Sequence, residues 1–251
     1  MRWVALTLLW AAALSAGPFR EIEGTYDYFR ARHVCEEKLG PGWRVPEIWE
    51  LFALRGETGR FGEGKRYWSG NTLGEARVVK MVRHESEYFV MNREIPAFAF
   101  FLQDGDITPT PKHVKAHVIC TRGPKTMPSS KGFERLKDGS VVDRRSDILW
   151  EPLGDKKRRN LKLTHIRAQE WCEARGMRLP TLDELYAIVD YNRVKPAVDT
   201  AIFGRMHNKY YWSDDDFGDE AAYVVGFAIG SVATSDRKNR SYFRCVKDLE
   251  E

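Results

Sequence analysis

Tyr28-Phe-Arg-Ala-Arg-His-Val-Cys35-Glu-Glu, near the start of the chain, and His165-Ile-Arg-Ala-Gln-Glu-Trp-Cys172-Glu-Ala, past its middle, are two versions of one pattern. Reading outward, Trp43-Arg-Val-Pro46 answers Met177-Arg-Leu-Pro180, and Leu51 answers Leu185 five residues past each proline. Tyr67-Trp-Ser69 then answers Tyr211-Trp-Ser213, and Ile119-Cys120 answers Arg244-Cys245. Five matched blocks in one order, over roughly a hundred residues, point to an internal repeat of one domain.

The bulk numbers agree with two ordinary domains. The chain has 251 residues, 40 Lys and Arg against 36 Asp and Glu, and a formal charge of +4. So small an excess argues against a dedicated nucleic-acid binder. Met1-Arg2, an apolar run from Trp3 to Leu14, and Ser15-Ala16-Gly17-Pro18 follow the order of a secretory signal peptide, placed at 1–16. The apolar run is too short to span a bilayer comfortably, so the cleaved chain is expected not to cross a membrane. A periplasmic or extracellular location follows, and with it disulfides as the default state of four cysteines. The first domain is set at 17–121. A Pro, Ser, Gly and Lys-rich stretch marks a linker at 122–138, and the second domain takes 139–251.

Each copy is expected to hold two helices followed by a meander of short strands, an α+β pattern. In the second copy, Thr164 opens a helix whose apolar face is Ile166, Ala168, Trp171 and Cys172, ending near Gly176. Thr181 and Glu184 have capping-box spacing, which predicts a helix over 180–189. The first copy's helices fall at 28–39 and 46–54. Strands are expected at 78–82, 88–91 and 97–102, with a turn at Asp104-Gly105, and at 221–227, 231–234 and 241–246. The second copy opens with a strand in 139–143, whose counterpart is expected to be abbreviated around 19–26.

Four cysteines allow three connectivities, and their positions alone do not choose. The repeat does: only Cys35 with Cys120 and Cys172 with Cys245 treat both copies alike. Each bridge then closes a long loop, worth on the order of 4 kcal/mol in the chain-entropy model. There is no Cys-x-x-Cys, and His113 and His117 ahead of Cys120 read as surface residues in a strand.

Asp147-Ile-Leu-Trp150, Ala168-x-x-Trp-Cys172, Arg178-Leu-Pro-Thr-x-x-Glu-Leu185, Tyr211-Trp-Ser213, Phe227-x-x-Gly230 and Phe243-Arg-Cys-Val246 together resemble the Lcl C-terminal domain family. That family is a group of bacterial secreted domains with a C-type-lectin-like fold, named after a collagen-like adhesin. The first copy resembles it more weakly, with Glu47 in place of the Thr after the proline. The resemblance implies two tandem lectin-like domains, each with two helices, a twisted antiparallel sheet and one disulfide, that bind a glycan or protein partner without catalysis. An envelope component with a fixed protein partner is the alternative. Arg178-Leu-Pro-Thr181 and Phe243-Arg-Cys245 also resemble the formylglycine-generating enzymes, which need a closely placed reactive Cys pair that this chain lacks.

Two loop features are candidate sites. Asp214, Asp215 and Asp216, with Asp219 and Glu220, gather hard oxygen ligands of the kind Ca²⁺ takes, although a solvated acidic loop is the simpler reading. No other cofactor is expected. Lys156, Lys157, Arg158 and Arg159 form the one dense basic cluster and are a candidate grip on sulfate or phosphate groups. Trp68 and Trp212 read as core rather than as sugar-stacking platforms. Neither Gly-x-Ser-x-Gly, a Gly-rich phosphate loop nor His-Glu-x-x-His occurs, so no catalytic residue is assigned.

Overall fold

The computed structural model describes residues 19–72, 95–125 and 132–249. The segment 1–16 and the strands expected at 78–82 and 88–91 lie outside the described residues. In chain order the N-terminal half gives β1 (Arg20–Tyr26), α1 (Tyr28–Leu39), β2 (Trp43–Arg44), α2 (Ile48–Phe52) and α3 (Thr58–Phe61). It continues with β3 (Arg66–Thr72), β4 (Ala97–Phe101), β5 (Ile107–Thr110) and β6 (Ala116–Arg122). The C-terminal half gives β7 (Phe133–Arg135), β8 (Val141–Asp143), β9 (Ile148–Trp150), α4 (Lys156–Arg159), α5 (His165–Glu173) and α6 (Leu182–Ala187). Then come α7 (Thr200–Phe203), β10 (Tyr210–Phe217), β11 (Ala221–Gly226), β12 (Ser231–Asp236) and β13 (Val246–Asp248).

Local chemistry accounts for the helix ends. The Asp27 carboxylate accepts from Arg30 N at 2.9 Å to start α1, and Gly40, at φ 93°, stops it. Capping boxes open both second helices: Glu47 with Glu50 at α2, and Thr181 with Glu184 at α6. Both are shorter than the expected 46–54 and 180–189. In α5 the inward residues are His165, Ala168 and Cys172, while Ile166 is 55% exposed. Helical residues turn by 100° each, so Ile166 points away from the stripe that holds the other three, and its place in the apolar face is corrected.

The N-terminal sheet runs β1-β6-β3-β4-β5, with β2 on β6; the C-terminal half has β10-β11-β12 and β13-β9-β8-β7. The central pairings recur. Trp68 faces Ala99 across an antiparallel ladder, and Tyr67 faces His117 in a parallel one. Likewise Trp212 faces Val224, and Tyr211 faces Tyr242 in parallel. Three expectations are corrected here. β1 is a full seven-residue strand paired with β6, not an abbreviated one. The stretch 122–138 is not linker throughout, because Phe133–Arg135 pairs with Val141–Asp143 as β7 on β8. Residues 241–245 make only isolated bridges, and regular strand begins at Val246.

Among the described residues, the apolar side chains gather in three clusters. One surrounds Cys35 and Cys120 with Tyr28, Val34, Trp43, Trp68 and Val118. A second surrounds Cys172 and Cys245 with Leu179, Trp212, Val224 and Phe243. The third and largest is shared, joining Leu51, Phe52, Phe98 and Ile107 to Leu185, Tyr186, Val225 and Val232. At its centre Phe52 stacks on Tyr186 with ring centroids 4.0 Å apart. These two rings directly follow the matched residues Leu51 and Leu185. Tyr191 lies edge-on to Phe98 at 5.1 Å, Arg55 pairs with Asp183 at 2.5 Å, and β5 lies against β12. The halves thus meet through equivalent faces, α2 and β5 on one side and α6 and β12 on the other.

Candidate functional site

The repeated motifs build frame, not site. Cys35 bonds Cys120 and Cys172 bonds Cys245, each with Cα atoms 5.6 Å apart, so all four cysteines are paired. A reaction that needs a free thiol finds none. Trp68 and Trp212 are fully buried, and their indole N–H groups donate to the Tyr26 carbonyl at 2.8 Å and the Leu163 carbonyl at 2.9 Å. Ser69 and Ser213 donate to the Phe98 and Tyr223 carbonyls at 2.9 and 3.1 Å. Arg44 clamps Glu50 through two bonds of 2.7 and 2.8 Å; Arg178 does the same to Glu184 at 2.8 Å twice. Bidentate pairs of this kind fix the capping carboxylate that opens the next helix.

Of the candidate Ca²⁺ residues Asp214, Asp215, Asp216 and Asp219, the first three are strand rather than loop. The first three lie on β10, where the register shifts between Trp212 and Asp216. Asp214 accepts from Gln169 at 2.9 Å, Asp215 accepts from the Leu182 amide that starts α6, and Asp216 pairs with Arg237. Asp219 lies beyond the strand in the turn to β11. Successive side chains of a strand diverge. Among the described residues, no group of three or more His, Cys, Asp or Glu is placed to hold a metal ion. Asp215 does for α6 what Asn71 does for α2, accepting from Ile48 N at 2.6 Å.

The basic cluster is also divided. Lys156–Arg159 is a single helical turn, α4, capped by Asp155, whose carboxylate accepts from Arg158 N at 2.8 Å. The Arg158 guanidinium lies 4.2 Å from the ring centroids of both Trp171 and Phe243 and pairs with Glu151. Arg158 is therefore structural, Lys156 and Lys157 are exposed, and Arg159 is half-buried. Next to this pair, Arg244 is 1% exposed and donates to the Glu151 carbonyl at 2.7 and 2.9 Å and to the Phe203 carbonyl at 3.0 Å. Burial pulls its pKa down to about 10, so it stays charged at neutral pH.

A cavity of about 290 Å³ opens instead at the N-terminal half, lined by Thr25, Gly64, Lys65, Arg66, Phe101, Lys115, Ala116 and His117. The topology assembles it. The parallel register of β3 with β6 sets Tyr67 beside His117, which brings Lys65 and Arg66 to Lys115, while the β3–β4 register sets Arg66 opposite Phe101. Lys65 Nζ reaches both Glu21 oxygens at 2.8 and 3.0 Å, and His117 Nδ1 lies 3.7 Å from the same carboxylate. Burial, and then the Glu21 charge, push the Tyr67 hydroxyl well above its ordinary pKa. It donates to the Phe61 carbonyl at 2.7 Å, with Glu21 Oε1 at 3.2 Å. The Arg66 guanidinium lies 4.7 Å over the Phe101 ring. Lys65, Arg66 and Lys115 outnumber Glu21 and the nearby Asp106, whose carboxyl feels the Arg66 charge, so the cleft is cationic. Sequence reasoning missed it because two charged pairs about fifty residues apart give no local pattern; only the parallel register unites them.

Residues 139–247 match the Lcl C-terminal domain. The match covers most of the C-terminal half, including Asp147-Ile-Leu-Trp150 and both cysteines of the second bridge. No curated protein matches the chain. Among solved structures, botrocetin is 14% identical over 42% of this chain and 89% of its own, with a TM-score of 0.31. The C-type lectin CEL-I from Cucumaria echinata is 13% identical over 41% of this chain and 86% of its own, with a TM-score of 0.30. At such low identity and overlap these are likenesses and carry no function across. Among the described residues, no helix is long and apolar enough to cross a membrane.

Proposed function

We propose that the chain is an exported, bacterial-type binding protein of two lectin-like domains, acting outside the cytoplasm on a glycan or protein partner without catalysis. The observation that carries this reading is the match of 139–247 to the Lcl C-terminal domain, set beside a first half built on the same frame. Each half has one helix-to-strand disulfide, one Trp bonded to a backbone carbonyl and one Arg–Glu clamp at matched places. A frame so braced holds surface loops and clefts in place, which is what recognition needs and turnover does not require. The pairing of all four cysteines speaks against the formylglycine-generating reading.

The test is association of the chain cleaved after residue 16 with a panel of neutral, carboxylated and sulfated glycans and envelope protein extracts, with and without EDTA. Saturable association that leaves the ligand chemically unchanged, and that survives EDTA, is the expected result. Turnover of any ligand would overturn the reading. So would the absence of association across the panel, which would leave a purely structural envelope component.

A further inference from the structure

We propose that the cleft between the start of β3 and the start of β6 is an oxyanion-binding site, taking the carboxylate or phosphate of a small ligand on Arg66 and Lys115. This rests on the binding reading above and gives it a place and a ligand chemistry. A void of about 290 Å³ suits a ligand the size of one sugar ring or a short acid, at the lower end of small-molecule sites.

The charges around the void are not interchangeable. Lys65 is neutralised where it stands by Glu21, which also faces His117 and Tyr67. Lys65 therefore shapes the wall and holds Glu21 back from the opening. Arg66 and Lys115 are different: neither forms an ion pair with a carboxylate among the described residues, and Arg66 has only the longer-range charge of Asp106 beside it. The Arg66 guanidinium lies 4.7 Å from the Phe101 ring centroid, a contact that does not use its N–H donors. A guanidinium over a ring keeps its N–H fork for a bidentate acceptor. Lys115 is exposed at the rim and supplies a mobile point charge. Two cations turned to one hollow repel each other, and an entering oxyanion relieves that repulsion.

The C-terminal half supplies an internal control. By the same strand registers, Tyr210 stands where Arg66 does, Gly226 where Phe101 does, and Tyr242 where His117 does. There Tyr210 folds over the glycine, so that a Cβ on Gly226 would sit 2.8 Å from its ring. Tyr242 stacks on His207 with centroids 4.4 Å apart. Lys209 and Arg240 stand at the places of Lys65 and Lys115, so both halves carry cations here, but the place of Arg66 over Phe101 is taken in the second half by Tyr210 over Gly226.

The experiment is an amide chemical-shift titration of the full cleaved chain with inorganic phosphate, with D-glucuronate, and with D-glucose as the neutral control. Saturable shifts at residues 64–66 and 115–117 with both anions, and none with glucose, are expected. Glucuronate binding more tightly than phosphate would point to a carboxylated sugar as the source, and the reverse order to a phosphate-bearing ligand. The Arg66→Gln/Lys115→Gln variant should weaken both by about tenfold. Lys115→Gln alone, at an exposed side chain, should weaken them about threefold with the fold kept. Shifts that fail to saturate, that glucose reproduces, or that the double variant retains would overturn the proposal. If the double variant keeps full affinity for a ligand found in the glycan and protein panel, the cleft assignment falls while the binding function stands. If the wild type binds nothing in either experiment, both fall.

Discussion

The two halves of the chain carry the same frame and fill it differently. Helix, disulfide, tryptophan, serine and Arg–Glu clamp sit at matched positions, and each frame residue makes the matched bond. Away from that frame the chemistry diverges. The residue before the last cysteine is Ile119 in one half and the buried, charged Arg244 in the other. The residue leading into the Tyr-Trp-Ser strand is Arg66 over a cavity in one and Tyr210 over a glycine in the other. Positions that hold the backbone in register are kept in both halves. Positions that face a hollow or the surface are where the halves can differ in function.

The largest expected effect tests the frame. Replacing Cys35 and Cys120 by Ala, or Cys172 and Cys245, should each cost about 2–5 kcal/mol in denaturant unfolding. A loss confined to one pair would break the equivalence. Arg244→Ala should cost about 3–5 kcal/mol, because it leaves the Glu151 and Phe203 carbonyls and the Arg158–Glu151 pair without their buried partner. Ile119→Val at the matched place should cost only about 1 kcal/mol, measured the same way. Trp68→Phe and Trp212→Phe each remove one buried indole hydrogen bond and should cost about 1–3 kcal/mol, equally within error.

The smallest effect separates the halves by pH. Burial, and then the neighbouring Asp104, raise the Asp106 pKa from 3.8 to about 6. A raised carboxyl stabilises the fold while protonated: the contribution is full below about pH 4 and is lost as pH rises through about 6. Asp106→Asn should therefore flatten the stability profile between pH 4 and 7 by about 1 kcal/mol, after allowing for solvent screening. The matched residue across the other hairpin is Ser231, and Ser231→Ala should leave the profile unchanged. Equal profiles for both variants would show that Asp106 titrates normally.

Much of the frame is legible in the sequence alone. Periodicity and capping signals find α1 at 28–39 and the starts of α2, α5 and α6, because those depend on side chains within one turn. The Trp motif and the cysteine partners are legible through repetition. What fails are readings that depend on who sits opposite. Asp214 to Asp216 look like a loop in the sequence, but pairing with β11 makes them strand, and Leu182 and Arg237 take up two of them. Arg158 looks like its exposed neighbours until Trp171 and Phe243 close around it. The cleft needs a parallel contact between β3 and β6, which no local pattern announces.

The most direct test of the central claim, one frame but a single oxyanion cleft, is matched substitution read by the glucuronate titration. Arg66→Gln/Lys115→Gln in the first half is compared with Lys209→Gln/Arg240→Gln, the cations beside the corresponding place in the second. About tenfold weakening is predicted for the first pair and no change for the second. Equal weakening by both pairs, or loss only with the second, would contradict it.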